Sequence, residues 1–189
     1  HRKIDTLFAD ADDFDVLVVG DYFSRRGSLV IRGLLSGKHV ISDKPFCTNQ
    51  KELEQIETIV GREGSPVIGC QLSNRYNGSL RTMRRLLNSG HIGTPHTVTF
   101  LGHHPLLYGS RPKWYFEPGK HGGTLNDIGI HAFDILPWLL NRSPQCLVGG
   151  RTWNKILPQH PNFQACGQVM LVLEGGVGVI GDVSYLSPD

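Results

Sequence analysis

Long apolar runs, paired cysteines and a surplus of one charge are all missing from this 189-residue chain. No stretch approaches the ~20 consecutive apolar residues that a helix needs to cross a bilayer, so no membrane partner is expected. The four cysteines, Cys47, Cys70, Cys146 and Cys166, form no Cys-x-x-C pair. That argues against a zinc ribbon and against a small disulfide scaffold. Each cysteine lies in or beside an apolar stretch and is expected as a buried free thiol in a reducing cytoplasm. A formal net charge of +2 makes no case for nucleic acid. The local basic cluster Arg81, Arg84 and Arg85 has the spacing of a solvated helix face. Internal repeats and low-complexity segments are absent as well. With 39% hydrophobic and 19% charged residues, the chain has enough apolar material for a packed core and too much for disorder.

The order of elements points to two domains. Phe14–Gly20 is a continuous apolar run ending in Gly-Asp, which reads as a strand buried on both faces. Residues Ser24–Ser36 carry Leu29, Val30, Ile31, Leu34 and Leu35 at helical spacing and stop at Gly37. His39–Ser42 reads as a second strand. A helix then opens at Thr48 or Asn49, with Glu52 in capping-box position and a stripe of Leu53, Ile56, Ile59 and Val60. Pro66–Cys70 is a third strand. Strand, helix, strand, helix, strand with tight connections predicts a parallel, doubly wound α/β sheet over residues 1–72. Residues 73–189 change character. A helix at 79–89, a strand at Thr97–Leu101, a Gly/Pro/aromatic loop from Gly102 to Gly123 and one long helix from Gly123 to Leu140 precede three further β-runs. These are Cys146–Trp153, Gln164–Leu173 and Val177–Tyr185, the last two joined at the hairpin signal Glu174-Gly175-Gly176. The second domain is therefore expected to be α+β, with a large, mostly antiparallel open sheet.

Two places carry residues suited to chemistry. The second strand ends in Asp43-Lys44-Pro45, and ligands of open α/β sheets bind beyond the carboxyl ends of the strands. Lys44 there is placed to donate to a substrate oxygen; a plain exposed turn pair is the equal alternative. The second place is Gly122–Asp134. On a regular helix Asp127 and His131 share a face, one turn apart, with Asp134 and Trp138 continuing that stripe. A carboxylate one turn before an imidazole can orient it as a general base. Two other readings stay open: an Asp–His pair that ties the helix to the sheet, and metal ligation by Asp127 and His131 with His103 or His104. The interior glycine Gly129 costs ~1 kcal/mol of helix propensity, which calls for a packing or functional reason.

Taken in order, these features resemble the Gfo/Idh/MocA family, to which glucose–fructose oxidoreductase and inositol dehydrogenase belong. Gly37–Pro45 is similar to the family's G-K-H-V…E-K-P pattern, with Asp43 in place of the usual glutamate. Gly122–Asp134 reproduces G-G-x-L-x-D-x-G-x-H-x-x-D, and Asn74-Arg75-Tyr76 and Ser89–Gly93 lie between them in the family's order. The resemblance implies a partial Rossmann-like domain followed by an α+β domain, and a fragment that lacks the family's N-terminal glycine fingerprint and its C-terminal end. It implies hydride transfer between NAD or NADP and a sugar, polyol or related hydroxy compound. Lys44, Asp127 and His131 would be catalytic, with His131 the base, Asp127 its neighbour at the substrate, and Lys44 the electrostatic partner. Asp21, Tyr22, Asp43, Lys44 and Pro45 would face the cofactor; Arg75 and His104 would join Asp127 and His131 at the substrate. The Lys44 amine and His131 imidazole are expected to converge on one hollow. Arg26 stands where relatives have a histidine. A homo-oligomer through the open sheet is also implied. Two rival readings are a non-catalytic relative acting as a binding or assembly module, and a metal-dependent lyase or isomerase built on Asp127 and His131.

Overall fold

The computed structural model describes residues 4–9 and 14–187 and divides into two compact units between Gln71 and Leu72. The first holds α1 (Ile4–Ala9), β1 (Val16–Val19), α2 (Phe23–Leu35), β2 (His39–Ser42), α3 (Gln50–Val60) and β3 (Ile68–Cys70). The strands are parallel in the order β1-β2-β3, with Val16 beside His39 and Val40 beside Ile68. Asn49 caps α3, its side chain accepting from the Glu52 N–H at 3.0 Å.

Leu17, Val19 and Val40 of the strands pack on Val30, Ile31 and Leu34 of α2 and on Ile56 and Ile59 of α3. The expectation that β1 is buried on both faces is not met among the described residues. β1 and β2 alternate exposed and buried residues, and Val18 is 68% exposed. The reason is topological. Strand order runs 1-2-3 in one direction, so two crossovers of the same right hand lay α2 and α3 on the same face. A doubly wound sheet needs a reversal of strand order, and the described strands contain none.

The second unit begins with a 3₁₀ turn at Ser73–Tyr76 and α4 (Gly78–Asn88). It continues with β4 (Thr97–Pro105), a 3₁₀ turn at Lys113–Phe116, a π-helical turn at Leu125–Gly129, α5 (Ile130–Leu140), β5 (Pro144–Trp153), β6 (Cys166–Leu173) and β7 (Val177–Ser187). The sheet order is β4-β7-β6-β5. β5-β6 and β6-β7 are antiparallel, while β4 joins β7 in parallel. β4 runs four residues past the expected end at Leu101 because its pairing with β7 continues to Pro105. One face of the sheet is backed by α5 and the π-turn: Leu171, Leu173, Val177, Val179, Val98 and Phe100 meet Leu136 and Leu140. Leu101, Leu147, Val148, Met170 and Ile180 lie exposed.

Three further expectations change. The single helix from Gly123 is instead a π-turn followed by α5, which contains Pro137. The α4 arginines are not all a solvated face, since the Arg84 guanidinium lies 4.3 Å from the centre of the Trp138 ring. Cys146 is exposed, and Cys47 and Cys70 are only half-buried; Cys166 alone matches the buried thiol expected of all four.

Candidate functional site

In the first unit the strand-end residues are knitted together by Arg26. This arginine sits in the first turns of α2, only 3% exposed. Its Nε donates to the Asp21 carbonyl at 2.7 Å. Nη1 donates to the carbonyls of Lys44 and, at 3.4 Å, Pro45. Nη2 donates to Asp43 Oδ2 at 3.0 Å. The other Asp43 oxygen accepts from the Lys44 N–H at 2.8 Å. Asp21 in turn accepts from the Tyr22 N–H at 2.8 Å and pairs with Arg25 at 3.2 Å. All five residues expected to face a cofactor, Asp21, Tyr22, Asp43, Lys44 and Pro45, thus lie on the two loops that follow β1 and β2. The carboxylate of Asp43 is engaged by Arg26 and its own loop. The Lys44–Pro45 peptide is cis.

In the second unit the residues of the Asp-x-x-x-His segment have different surroundings. Gly123, with φ of +95°, turns the chain into the π-helical turn, and Asp127 N–H donates to Gly123 O at 3.1 Å. A π-turn adds a residue to the loop that closes each hydrogen bond. The regular helical spacing expected from Asp127 to His131 is thus interrupted by the π-turn at Leu125–Gly129. Asp127, 5% exposed, enters a cluster of aromatic residues. Its Oδ2 accepts from Tyr115 at 2.5 Å and from Tyr185, whose hydroxyl oxygens are 2.8 Å apart. His121 closes the cluster: its Nε2 is 3.1 Å from the Tyr185 hydroxyl and 3.6 Å from Asp127 Oδ2. Its Nδ1 accepts from the Gly123 N–H at 3.2 Å, which assigns the ring proton to Nε2 and makes Nε2 the donor to Tyr185. Two phenols converging on one oxygen satisfy a buried carboxylate. Burial first, and then the Asp127 charge, pushes both phenols above the usual tyrosine range.

His131 lines a cavity of about 440 Å³ together with His104, Asn74, Gly102 and Ala132. Here β4, the 3₁₀ turn at Ser73–Tyr76 and the start of α5 meet. Two of the expected substrate residues, His104 and His131, therefore share one hollow. Arg75 forms a two-pronged pair with Asp134, Nε to Oδ2 at 3.1 Å and Nη2 to Oδ1; Asn74, its neighbour, is the residue of that turn on the cavity wall. His103, on the same strand as His104, contacts Ser184 Oγ at 2.8 Å. Among the described residues no three His, Cys, Asp or Glu side chains are grouped as a metal would need.

Three residues of the Asp127 cluster escaped the sequence reading: Tyr115, His121 and Tyr185. A faint signal existed in the aromatic-rich loop Trp114-Tyr115-Phe116 and in His121 directly before the glycine pair. Tyr185 closed the last β-run and gave no sign of partnering Asp127, 58 residues away.

An α/β unit with parallel strands, followed by an α+β unit whose open sheet is backed by an Asp-x-x-x-His helix, defines the class of architecture. Residues 80–189 match the family described as GFO/IDH/MocA C-terminal domain, more than half of the sequence, and the chain belongs to the Gfo/Idh/MocA family. It is 25% identical over 129 residues to inositol 2-dehydrogenase 3 of Saccharopolyspora erythraea, covering 68% of this chain and 36% of that protein. It is 27% identical over 143 residues to 1,5-anhydro-D-fructose reductase of Ensifer adhaerens, covering 75% and 42%. The structure of GenD2 from gentamicin A biosynthesis, in complex with NAD, superposes with a TM-score of 0.83 at 20% identity, covering 100% of this chain and 53% of that one. The chain thus spans about half or less of the length of the proteins it matches. No helix among the described residues is long and apolar enough to cross a membrane.

Proposed function

We propose that the protein is an oxidoreductase that transfers a hydride between a nicotinamide cofactor, NAD or NADP, and a sugar, polyol or related hydroxy compound. The observation that carries this reading is the cavity where His131 and His104 meet, at the start of the family's Asp-x-x-x-His helix. An imidazole on a cavity wall beside a second imidazole and the Asn74 amide suits a substrate with several hydroxyls. His131 takes the hydroxyl proton of the substrate, His104 and Asn74 hold neighbouring oxygens, and Asp127, clamped by Tyr115 and Tyr185, anchors the turn from which the His131 helix departs. Lys44 supplies positive charge and a hydrogen bond to the reacting oxygen.

The loops after β1 and β2 fit the nicotinamide end of such a cofactor. Gly20, at the end of β1, has open space where a Cβ would stand, and Asp21, Tyr22, Asp43, Lys44 and Pro45 surround that edge. The cofactor supplies the hydride chemistry; the protein supplies alignment and the path of the proton.

Two further parts of the reading rest on surfaces and thiols. The exposed apolar face of the second sheet, with Leu101, Val148, Met170 and Ile180, is covered by a second copy of the chain, because monomers rarely leave so contiguous a patch bare. A reducing compartment such as the cytoplasm agrees with four cysteines that form no disulfide.

The test is made on the intact protein. NAD(H) and NADP(H) are titrated by fluorescence, and turnover of candidate polyols is measured for the parent and for His131→Asn across pH. Loss of roughly 10²–10⁴ in kcat, with cofactor binding intact, is expected for removal of a general base. Unchanged turnover in His131→Asn would end its assignment as base. Failure to bind either dinucleotide would instead support a binding or assembly module.

A further inference from the structure

We propose that Arg26 is a positioning residue for Lys44, holding the backbone of that residue so that its amine leaves the end of β2 in one direction. The proposal rests on the reading of Lys44 as a participant in the reaction.

Several observations converge. Arg26 is buried on α2, yet it carries a full charge, and a buried cation is tolerated only when its donors are met. The structure meets them almost entirely with the loop that bears Lys44. Nη1 donates to the Lys44 and Pro45 carbonyls, and Nη2 to Asp43 Oδ2 at 3.0 Å. Asp43 Oδ1 then accepts from the Lys44 N–H at 2.8 Å. Both backbone polar groups of Lys44 are therefore held, the carbonyl by Arg26 directly and the N–H by a carboxylate that Arg26 itself orients. Nε reaches the other way, to the Asp21 carbonyl at 2.7 Å, so one guanidinium ties together the loops after β1 and β2. The ring of Phe23, 4.5 Å from the guanidinium carbon, covers the cation.

A planar fork with donors aimed in several fixed directions can make this set of bonds; an ammonium on a flexible stem cannot. If Arg26 only stitched the loops together for stability, any residue that kept the fold would serve. If it positions Lys44, the orientation of the amine depends on it.

The experiment uses the intact protein as parent and its Arg26→Lys, Arg26→Ala and Asp43→Asn variants, each first checked for folding by its thermal transition. Two readouts follow: kcat and KM, and the rate at which an amine-reactive acylating reagent labels Lys44, resolved by peptide mass spectrometry with Lys38 and Lys51 as internal references. Folded Arg26→Lys is expected to lose roughly ten- to hundredfold in kcat, the scale on which a misplaced group costs rate. Its Lys44 labelling rate should shift several-fold while Lys38 and Lys51 keep theirs. Low, non-denaturing guanidinium should restore both readouts toward the parent in Arg26→Ala. Variants that melt earlier but keep parental kcat and Lys44 labelling would overturn the proposal. Lys44→Ala separates this inference from the reading beneath it. Should that variant turn over normally while the Arg26 variants still shift Lys44 labelling, the functional reading of Lys44 falls and the positioning stands.

Discussion

Replacing Tyr185 by phenylalanine should destabilise the second unit more than the same change at Tyr115, although both phenols donate to the same Asp127 oxygen. The difference follows from His121. With its Nδ1 accepting from Gly123 N–H, the imidazole donates through Nε2 to the Tyr185 hydroxyl. Tyr115→Phe removes one charge-assisted donor and leaves Asp127 with the other, at a cost of roughly 1.5–3 kcal/mol. Tyr185→Phe removes a donor of the same kind and also the hydroxyl that accepts from His121 Nε2. That second loss raises the cost to roughly 3–5 kcal/mol. All three tryptophans of the sequence, Trp114, Trp138 and Trp153, lie after Gln71, so their fluorescence during urea unfolding reports this unit. At an m-value of about 2 kcal/mol/M, Tyr185→Phe should lower the midpoint by about 1.5–2.5 M and Tyr115→Phe by about half that. The double variant should cost less than the sum, because the two hydroxyls share an acceptor and touch each other. Equal costs for the two single variants, or a larger one for Tyr115→Phe, would refute the assigned tautomer and the direction of the His121–Tyr185 bond.

Further outcomes follow from the same geometry. Both buried phenols have folded-state pKa values raised above the unfolded value of ~10, so folding favours their protonated forms. That contribution is complete below pH ~10 and is lost above it, at up to about 2.7 kcal/mol per pH unit for two phenols; the Tyr115→Phe/Tyr185→Phe double variant should show a flatter decline in urea titrations from pH 9 upward. The Cys47 thiol is pushed up to about 11 by burial and then by the neighbouring Glu52 charge. Iodoacetamide at mildly alkaline pH should alkylate it on the order of a hundredfold more slowly than an ordinary exposed thiol, and peptide mass spectrometry should show Cys146 modified well before Cys47. Gly102→Ala places a Cβ 2.7 Å from Ile128 Cγ2 and 3.1 Å from Val183 Cγ1. The crowding should cost about 1–3 kcal/mol by urea unfolding, whereas Gly20→Ala, with nothing within 4 Å, should not crowd its surroundings.

The elements themselves were legible because each rests on a local signal. Asn49 before Glu52 marks the start of α3, an apolar run ending in Gly-Asp marks β1, and the Glu174-Gly175-Gly176 turn joins β6 to β7 with both glycines at positive φ. What could not be read were facts that depend on long-range pairing. The parallel partnership of β4 with β7 spans about 80 residues and decides that β4 continues through His103 and His104. Whether β1 is covered on one face or two depends on strand order, which no window of sequence contains. Arg26 and Asp43 show the same limit at the site. Each stood out as a departure from the family's pattern, yet only the fold brings the guanidinium 3.0 Å from the carboxylate.

The Asp-x-x-x-His segment shows an intact motif on a locally irregular helix. Its spacing implies one helical face and an aspartate that orients a histidine. Gly123 and Gly129 bracket a π-turn in that segment, and the interior glycine has its packing reason: a Cβ at Gly129 would come within 3.1 Å of the Phe133 ring. With the turn widened, Asp127 is held among Tyr115, Tyr185 and His121, while His131 opens on the cavity shared with His104. The two residues can therefore be perturbed separately. Relaxing the turn with Gly129→Ala should disturb the placement of Asp127 and His131 together, whereas Tyr185→Phe acts on the aspartate first. Comparing kcat against pH for these two variants in the full-length parent would show whether Asp127 serves the reaction through the turn it anchors. Parallel losses in both would support that route, and an unaltered profile in Tyr185→Phe would exclude it.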